Sequence, residues 1–475
     1  MFNTTHFKEN MFMSNSLDIQ KSRKINRTKR TTDMTTGSPA KLLFYFAMPL
    51  FIGNILQQFY NLADTSLAGH LLGDTALAQI GATAALYSLI TNIAFGLNNG
   101  FALFVSRNFG ADNKTEMKHS VCWAVLLSAL STVILTASFL IFRRPLLTLL
   151  QVPAETMDGA LSYLTVILAG IPLTMAYNLE SSLLRSIGNS ITPLIFLVFS
   201  SVLNVILDYL FMGPFSMGVR GAAIATITAQ GISAILGLFC ILHGYPELKF
   251  GKKDMKVSVR FVFEMFWTGL SMALMSAIYN IGSVILQGSI NALGNVYIAA
   301  QVGGRRLAEF FYTPGIALGT SAATFASQNY GARKNSRIKK GIYAAIEMYG
   351  IWWILAMIST FTIARSILVL ITGSSDNTII SNGLMYLRIS IPMIPPMAIL
   401  VIVRNALQGM RHSVAPLLCS ALEMIGKIIF AVFLVPVYGY IAVCICEPVT
   451  WVVCFLFIMG AVLIFRADFR NPAEL

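Results

Sequence analysis

Charged side chains are scarce in this chain: they make up 12% of its 475 residues. A soluble protein of this length carries about 25%, so a water-solvated globule is excluded. Catalytic signatures are missing as well. There is no GxxxxGK[ST] phosphate loop, which argues against direct ATP hydrolysis, and there is no HExxH, GxSxG or paired CxxC. The five histidines are scattered, so no His or Ser/His cluster marks a membrane enzyme. The six cysteines (Cys122, Cys240, Cys419, Cys444, Cys446 and Cys454) all fall in apolar segments. Cys444 and Cys446 form a CxC with no second ligand pair near, so all six read as small buried hydrophobes rather than metal ligands. No cleavable signal peptide is visible, because the N-terminus is polar and basic rather than apolar.

What the chain has is apolar length. Hydrophobic residues make up 56% of it. Hydropathy divides it into twelve segments, roughly 42–72, 76–106, 117–142, 159–185, 189–212, 219–242, 259–291, 295–327, 337–365, 379–410, 413–436 and 440–465. Each meets or exceeds the ~20 residues that span a bilayer. The net charge of +13 does not point to nucleic acid, because no recognition module accompanies it and the basic residues sit between the apolar runs. On the side of the N-terminus stand 26 Lys and Arg. The opposite side has four (Arg143, Arg144, Arg220, Arg365), and Arg305, Arg306, Arg388 and Lys427 lie within spans. That asymmetry places both termini in the cytoplasm and makes the span number even. Residues 1–40 read as a basic, disordered cytoplasmic tail, in which Met34 opens the string MTTGSPAKLL and marks a second candidate start.

The two halves repeat. Tyr60-Asn61 matches Tyr279-Asn280, SRNFGADNK (Ser106–Lys114) matches SQNYGARKN (Ser327–Asn335), and LLRSIGNSITPL (Leu183–Leu194) matches ALQGMRHSVAPL (Ala406–Leu417). Six segments separate the copies, so the repeats run in the same direction through the membrane. The expected organisation is a lobe over 41–242, a basic linker over 243–258, a lobe over 259–465 and a cytoplasmic C-terminal tail over 466–475.

Ionisable residues inside spans are expensive and mark function by default. In the first segment Asn54, Gln57, Asn61 and Asp64 fall three, four and three residues apart, a spacing that stacks them on one helical face. Facing lipid would be costly, so this stripe faces protein or a water-filled cavity, where a carboxylate suits proton transfer or cation binding. Pro49 near its start invites a bend. In the fifth segment Asn204 and Asp208 are one turn apart; in the fourth, Asn178 and Ser181 share a face, with Glu180 beside it and Arg185 near enough to neutralise it. Carboxylate and amide oxygens from three helices make either a hard-cation site or a proton relay; the alternative is a structural polar network. In the second half, Arg305, Arg306 and Glu309 cluster in the eighth segment, as candidates to line or gate a cleft. Glu423 and Lys427 have the spacing and order of a structural ion pair, and Glu447 precedes Pro448.

The strings PLFIGNILQQFYNLADTSLAGHLLG, GLNNGFALFVSRNFGADN, SVLNVILDYLFMG and ASQNYGARK, in that order, resemble the multidrug and toxic compound extrusion (MATE) transporters, and among them the bacterial DinF-like branch. The resemblance covers about residues 37–465. It implies an all-α polytopic membrane protein with twelve transmembrane helices in two pseudo-symmetric six-helix lobes, set as a V. It implies an inner-membrane antiporter that exports lipophilic or cationic compounds against H⁺ or Na⁺, working as a monomer in the lipid bilayer with no other cofactor. By residue match, Asp64, Asn204, Asp208 and Asn178 would take the coupling ion, with Na⁺ at Asp64/Asp208 as the one metal ion to consider. Gln57, Tyr60, Asn61, Tyr177, Glu180, Ser181, Arg305 and Glu309 are candidates for the substrate cavity. Ser181 departs from the asparagine common in the family, and Glu180 adds a charge the pattern does not require. Where another branch has acids in the seventh and tenth spans, this chain has none in the interior of the seventh and offers Arg404 and Asn405 in the tenth. The rival reading is a flippase for a lipid-linked precursor, which would use Arg305, Arg306 and Arg388 in a cationic cavity.

Overall fold

The computed structural model describes residues 31–470, and among them the chain is helical with no strand. Twelve long elements follow in order: α1 (Pro39–Leu72), α2 (Asp74–Gly110), α3 (Lys114–Leu149), α4 (Ala154–Ala169 and Ile171–Ser186), α5 (Ile191–Met212), α6 (Gly218–Gly244), α7 (Val259–Ala292), α8 (Asn295–Gly331), α9 (Asn335–Thr362), α10 (Asn377–Gly409), α11 (Val414–Tyr438) and α12 (Tyr440–Ile464). In lipid no water satisfies the backbone, so long apolar runs fold as helices that bond internally. Polar caps set several starts: Asn113 accepts from Glu116 N–H (3.2 Å) before α3, Ser258 from Phe261 N–H (3.2 Å) before α7, and Asp376 from Thr378 N–H (2.7 Å) before α10. α1 runs without a break through Pro49.

The elements match the twelve sequence segments one for one. Ten are long and apolar enough to cross a membrane, and α4, bent by 46° at Gly170, makes an eleventh. The twelfth, α8, has ample length at 37 residues, but Arg305, Arg306 and Glu309 and its many Gly, Ser and Thr residues lower its hydropathy. Those small and polar residues are bought by burial between neighbours: Gly303, Gly304, Ser321, Thr324, Ser327, Gln328 and Asn329 are all buried.

The lobes are not self-contained. The first turns of α1 (Leu43, Phe46 and Ala47) belong to the core of the second half, and Phe51 packs edge-on against Trp352 of α9. Met265 and Ala273 of α7 conversely join the core of the first half. Each helix therefore starts against one half and ends in the other; the far part of α1 lies on α5. α2 and α7 pass so closely that a Cβ at Gly96 would lie 2.7 Å from the Ala273 nitrogen, and one at Gly100 would meet the Gly269 backbone.

Both described termini lie at one end of the bundle, the terminal end, which is shut. Ser106 donates to the Thr324 carbonyl (3.3 Å) and Ser327 to that of Leu103 (2.8 Å), binding α2 to α8. The assignment of residues 1–40 to a disordered tail is corrected for its last part; residues 1–30 lie outside the described region. Met34 is fully buried. Its N–H donates to Gln328 Oε1 (2.9 Å), its carbonyl accepts from Asn329 (3.1 Å), and Lys334 donates to the Thr35 carbonyl (3.0 Å). Thr32 N–H donates to the Ile187 carbonyl (3.2 Å) of the first half. Composition misled here because the segment's order comes from distant polar partners and not from its own apolar content. The linker is also packed: Tyr245 is buried and its hydroxyl accepts from Asn189 (2.6 Å).

Candidate functional site

Asp64 of α1 and Asp208 of α5 bring their carboxyl groups into hydrogen-bonding reach of each other. A hydrogen bond between two carboxyl groups requires a proton on one of them. Asp208 is fully buried, and Asn204, one turn earlier on α5, is 2% exposed. With the Asn204 amide oriented to satisfy its neighbours, it donates to Asp208 (2.8 Å) and to the Tyr60 hydroxyl (3.1 Å) and accepts from Thr226 N–H (3.0 Å). Tyr60 and Asp64 are a turn apart on α1, as are Asn204 and Asp208 on α5, so two helical faces close one network. The Oδ1 atoms of Asp64 and Asp208 are buried without a hydrogen-bond partner among the described residues. Such oxygens demand a proton, a cation or water.

Four further residues complete the site. Tyr87 of α2 and Tyr163 of α4 lie within the field of Asp64. Gln230 of α6 accepts from Thr174 (2.6 Å) and donates to the Tyr87 hydroxyl (3.4 Å). Thr226 lies one turn before Gln230 on α6. The spacing of Thr226 and Gln230 in an otherwise apolar helix was the available signal for these last two; a single tyrosine in an apolar run carries none.

Other candidates lie elsewhere. Gln57 donates to Asn61 (3.3 Å) and the pair stands apart from Asp64, so the α1 stripe divides between two surfaces. Asn178 gives its N–H to the Thr174 carbonyl (2.9 Å) and bonds to neither aspartate. Tyr177 and Ser181 lie a turn apart on α4 and bond to neither aspartate. Arg185 does not neutralise Glu180: it donates to Ser182 (2.9 Å) and Asn99 (3.3 Å). The Glu180 carboxylate instead packs against Gly237 of α6, with Oε2 unpartnered among the described residues.

A cavity of about 350 Å³ lies mostly in the second half, bounded by Tyr279, Asn280, Arg404, Asn405, Glu423 and Glu447 among others, with Asn92 and Phe95 of α2 also lining it. Glu423 and Lys427 are 3.4 Å apart and nearly fully buried, the expected ion pair; Lys427 also stands over the Tyr279 ring at 3.8 Å. Arg404 lies 3.9 Å from Glu423, and Tyr386 donates to Glu447 (2.9 Å). Arg305 and Glu309 pair with each other along α8 (3.1 Å) and do not line this cavity.

A duplicated bundle of long apolar helices with a buried carboxyl pair on one side and an ion-paired cavity on the other defines a multi-pass membrane protein. The MatE family profile matches the chain twice, over residues 49–210 and 271–433. The chain is 30% identical to the "Probable multidrug resistance protein YpnP" of Bacillus subtilis (strain 168) over 64% of its length and 68% of that protein. It is 23% identical to the "Multidrug export protein MepA" of Staphylococcus aureus (strain MSSA476), over 71% and 74%. The solved structure of MATE in complex with MaL6 superposes with a TM-score of 0.84 at 21% identity, over 93% of this chain and all of that one. The chain belongs to the MATE family of transporters.

Proposed function

We propose that this transporter exports lipophilic, often cationic small molecules across the inner membrane, as a monomer with both termini in the cytoplasm, by antiport with H⁺ or Na⁺ at Asp64 and Asp208. The multidrug names of its relatives support the export reading. The observation that carries the coupling is the facing carboxyl pair with two orphaned buried oxygens. Protonating both groups, or placing Na⁺ between them, removes a charge that Asn204 otherwise holds through its bond to Asp208. The contact between α1 and α5 then has two forms that bind the ion differently, which a coupled transition requires. Because the start of α1 lies in the second half's core, a change at Asp64 is felt by both halves along one continuous helix.

The flippase reading finds less support. Arg305 is paired with Glu309, and Arg306 and Arg388 are exposed, so the three do not converge on a cationic chamber.

Dye efflux from everted vesicles tests the proposal, under an imposed pH gradient and then an imposed Na⁺ gradient. Wild type should move ethidium with one gradient, and Asp64→Asn should be inert at equal expression. Equal transport by Asp64→Asn would overturn the assignment.

A further inference from the structure

The two halves end their second helices in matched segments, Ser106–Asp112 at the end of α2 and Ser327–Arg333 at the end of α8. On the α8 side the groove is filled by the chain's own segment: Gln328 and Asn329 bond both backbone groups of Met34, and the Thr32 carbonyl rests on Gly188. On the α2 side the matched groove is open among the described residues. It is a cavity of about 450 Å³, bounded by Arg107, Asn108, Tyr330, Arg333, Arg411 and Arg470 among others.

The open groove is also rich in arginine. At three matched positions it carries an arginine where its counterpart does not: Arg107 for Gln328, Arg333 for Asp112, and Arg411 for Gly188. Arg411 keeps the left-handed backbone that Gly188 adopts, with φ of 76° against 81°. An arginine in a conformation that favours glycine carries backbone strain that glycine there would not. Counter-charges are few. Asp468 in the wall is bonded by His412 (2.8 Å), and Arg411 reaches Glu264 of α7. Arg107 is nine-tenths buried; it gives one long bond to the Gly409 carbonyl (3.5 Å), stacks over Phe104 at 4.8 Å, and its Nε has no partner.

We propose that this arginine-lined groove binds a phosphate group. Guanidinium forks suit phosphate oxygens, and basic pockets between membrane helices hold anionic headgroups. A phosphate bonded to Arg107 of α2 and Arg333 beyond α8 would favour the form in which the terminal end is shut, as Met34 does on the other side. The same chemistry has two sources: the headgroup of an anionic phospholipid, or a small soluble phosphoester.

The test uses the full-length protein and does not depend on what it transports. Thermal unfolding is followed in phosphatidylcholine nanodiscs titrated with glycerol 3-phosphate, and in nanodiscs with increasing phosphatidylglycerol. The variants are Arg411→Gly, which restores the residue of the matched loop, Arg333→Gln, and the double variant. Stabilisation of wild type should need about fivefold more phosphate probe per arginine removed, and about 25-fold more in the double variant. A response to glycerol 3-phosphate in phosphatidylcholine identifies a soluble source, and a response confined to phosphatidylglycerol identifies the lipid. If neither probe separates wild type from Arg333→Gln, whose exposed side chain holds no ion pair among the described residues, the proposal fails.

Discussion

Gly110 of α2 and Gly331 of α8 are reciprocal. A Cβ at Gly110 would overlap the Gln328 carbonyl, and one at Gly331 would overlap that of Arg107. Each glycine thus makes room for the partner helix's backbone, and backbone cannot move aside as a side chain can. Gly110→Ala and Gly331→Ala should each keep the terminal end from shutting. We expect efflux to fall at least about tenfold, which takes about 1.4 kcal/mol against the shut form. A cysteine at Ser327 should become reactive to a membrane-impermeant maleimide in everted vesicles. Unchanged efflux and no labelling in either variant would refute the reciprocal seal.

Asn204 organises the carboxyl site through three hydrogen bonds. Asn204→Leu keeps the volume and removes all three. Hydrogen bonds to charged groups contribute about 1.5–3 kcal/mol each, so gradient-driven efflux should fall about 10- to 100-fold. Tyr60→Phe loses one bond and should cost less. A Tyr60→Phe defect larger than that of Asn204→Leu would count against this order of importance.

Gln328 is fully buried and joins both halves, accepting from Met34 N–H and donating to the Ser186 carbonyl (3.0 Å). Gln328→Ala leaves a buried N–H and a buried carbonyl unpaired, at about 1–3 kcal/mol each. The purified variant should unfold at a lower temperature in detergent. Shortening the chain to begin after Gly37 should lower it too, with little added effect in the Gln328→Ala background.

Lys427 and Glu423 are buried together, so removing one charge is costlier than removing both. Lys427→Met should destabilise by about 3–5 kcal/mol, the usual cost of a broken buried pair. Adding Glu423→Gln should recover most of that loss in the same unfolding assay. A double variant no more stable than the single would show that Arg404 already balances Glu423 alone.

What the sequence made legible follows from cost. A charge within an apolar run is expensive, so Asp64 and Asp208 stood out, and helical spacing supplied Asn204. The repeat was legible because Gly110 and Gly331, and Pro193 and Pro416, recur at nearly constant separation. Tyr87 and Tyr163 were not legible, since tyrosine packs in lipid-facing helices at little penalty and only the fold brings them to Asp64. Asn178 shows the converse: its position matched a family pattern, yet its amide is satisfied within its own helix. The order of Thr32–Gly37 was hidden because the groups that fix it lie nearly 300 positions away, at Gln328 and Asn329.

The close passage of α2 and α7 at Gly100 and Gly269 lies ten residues from the crossing at Gly110, about 15 Å along a helix. Two backbones in contact make a fulcrum, and the helix beyond it is a lever arm. Turning one half on the other by about 20° about that point would part the terminal end by about 5 Å, by the same helical rise. Leverage of this kind needs stiffness more than strength, so the unbroken 37-residue length of α2 matters as much as the contacts along it.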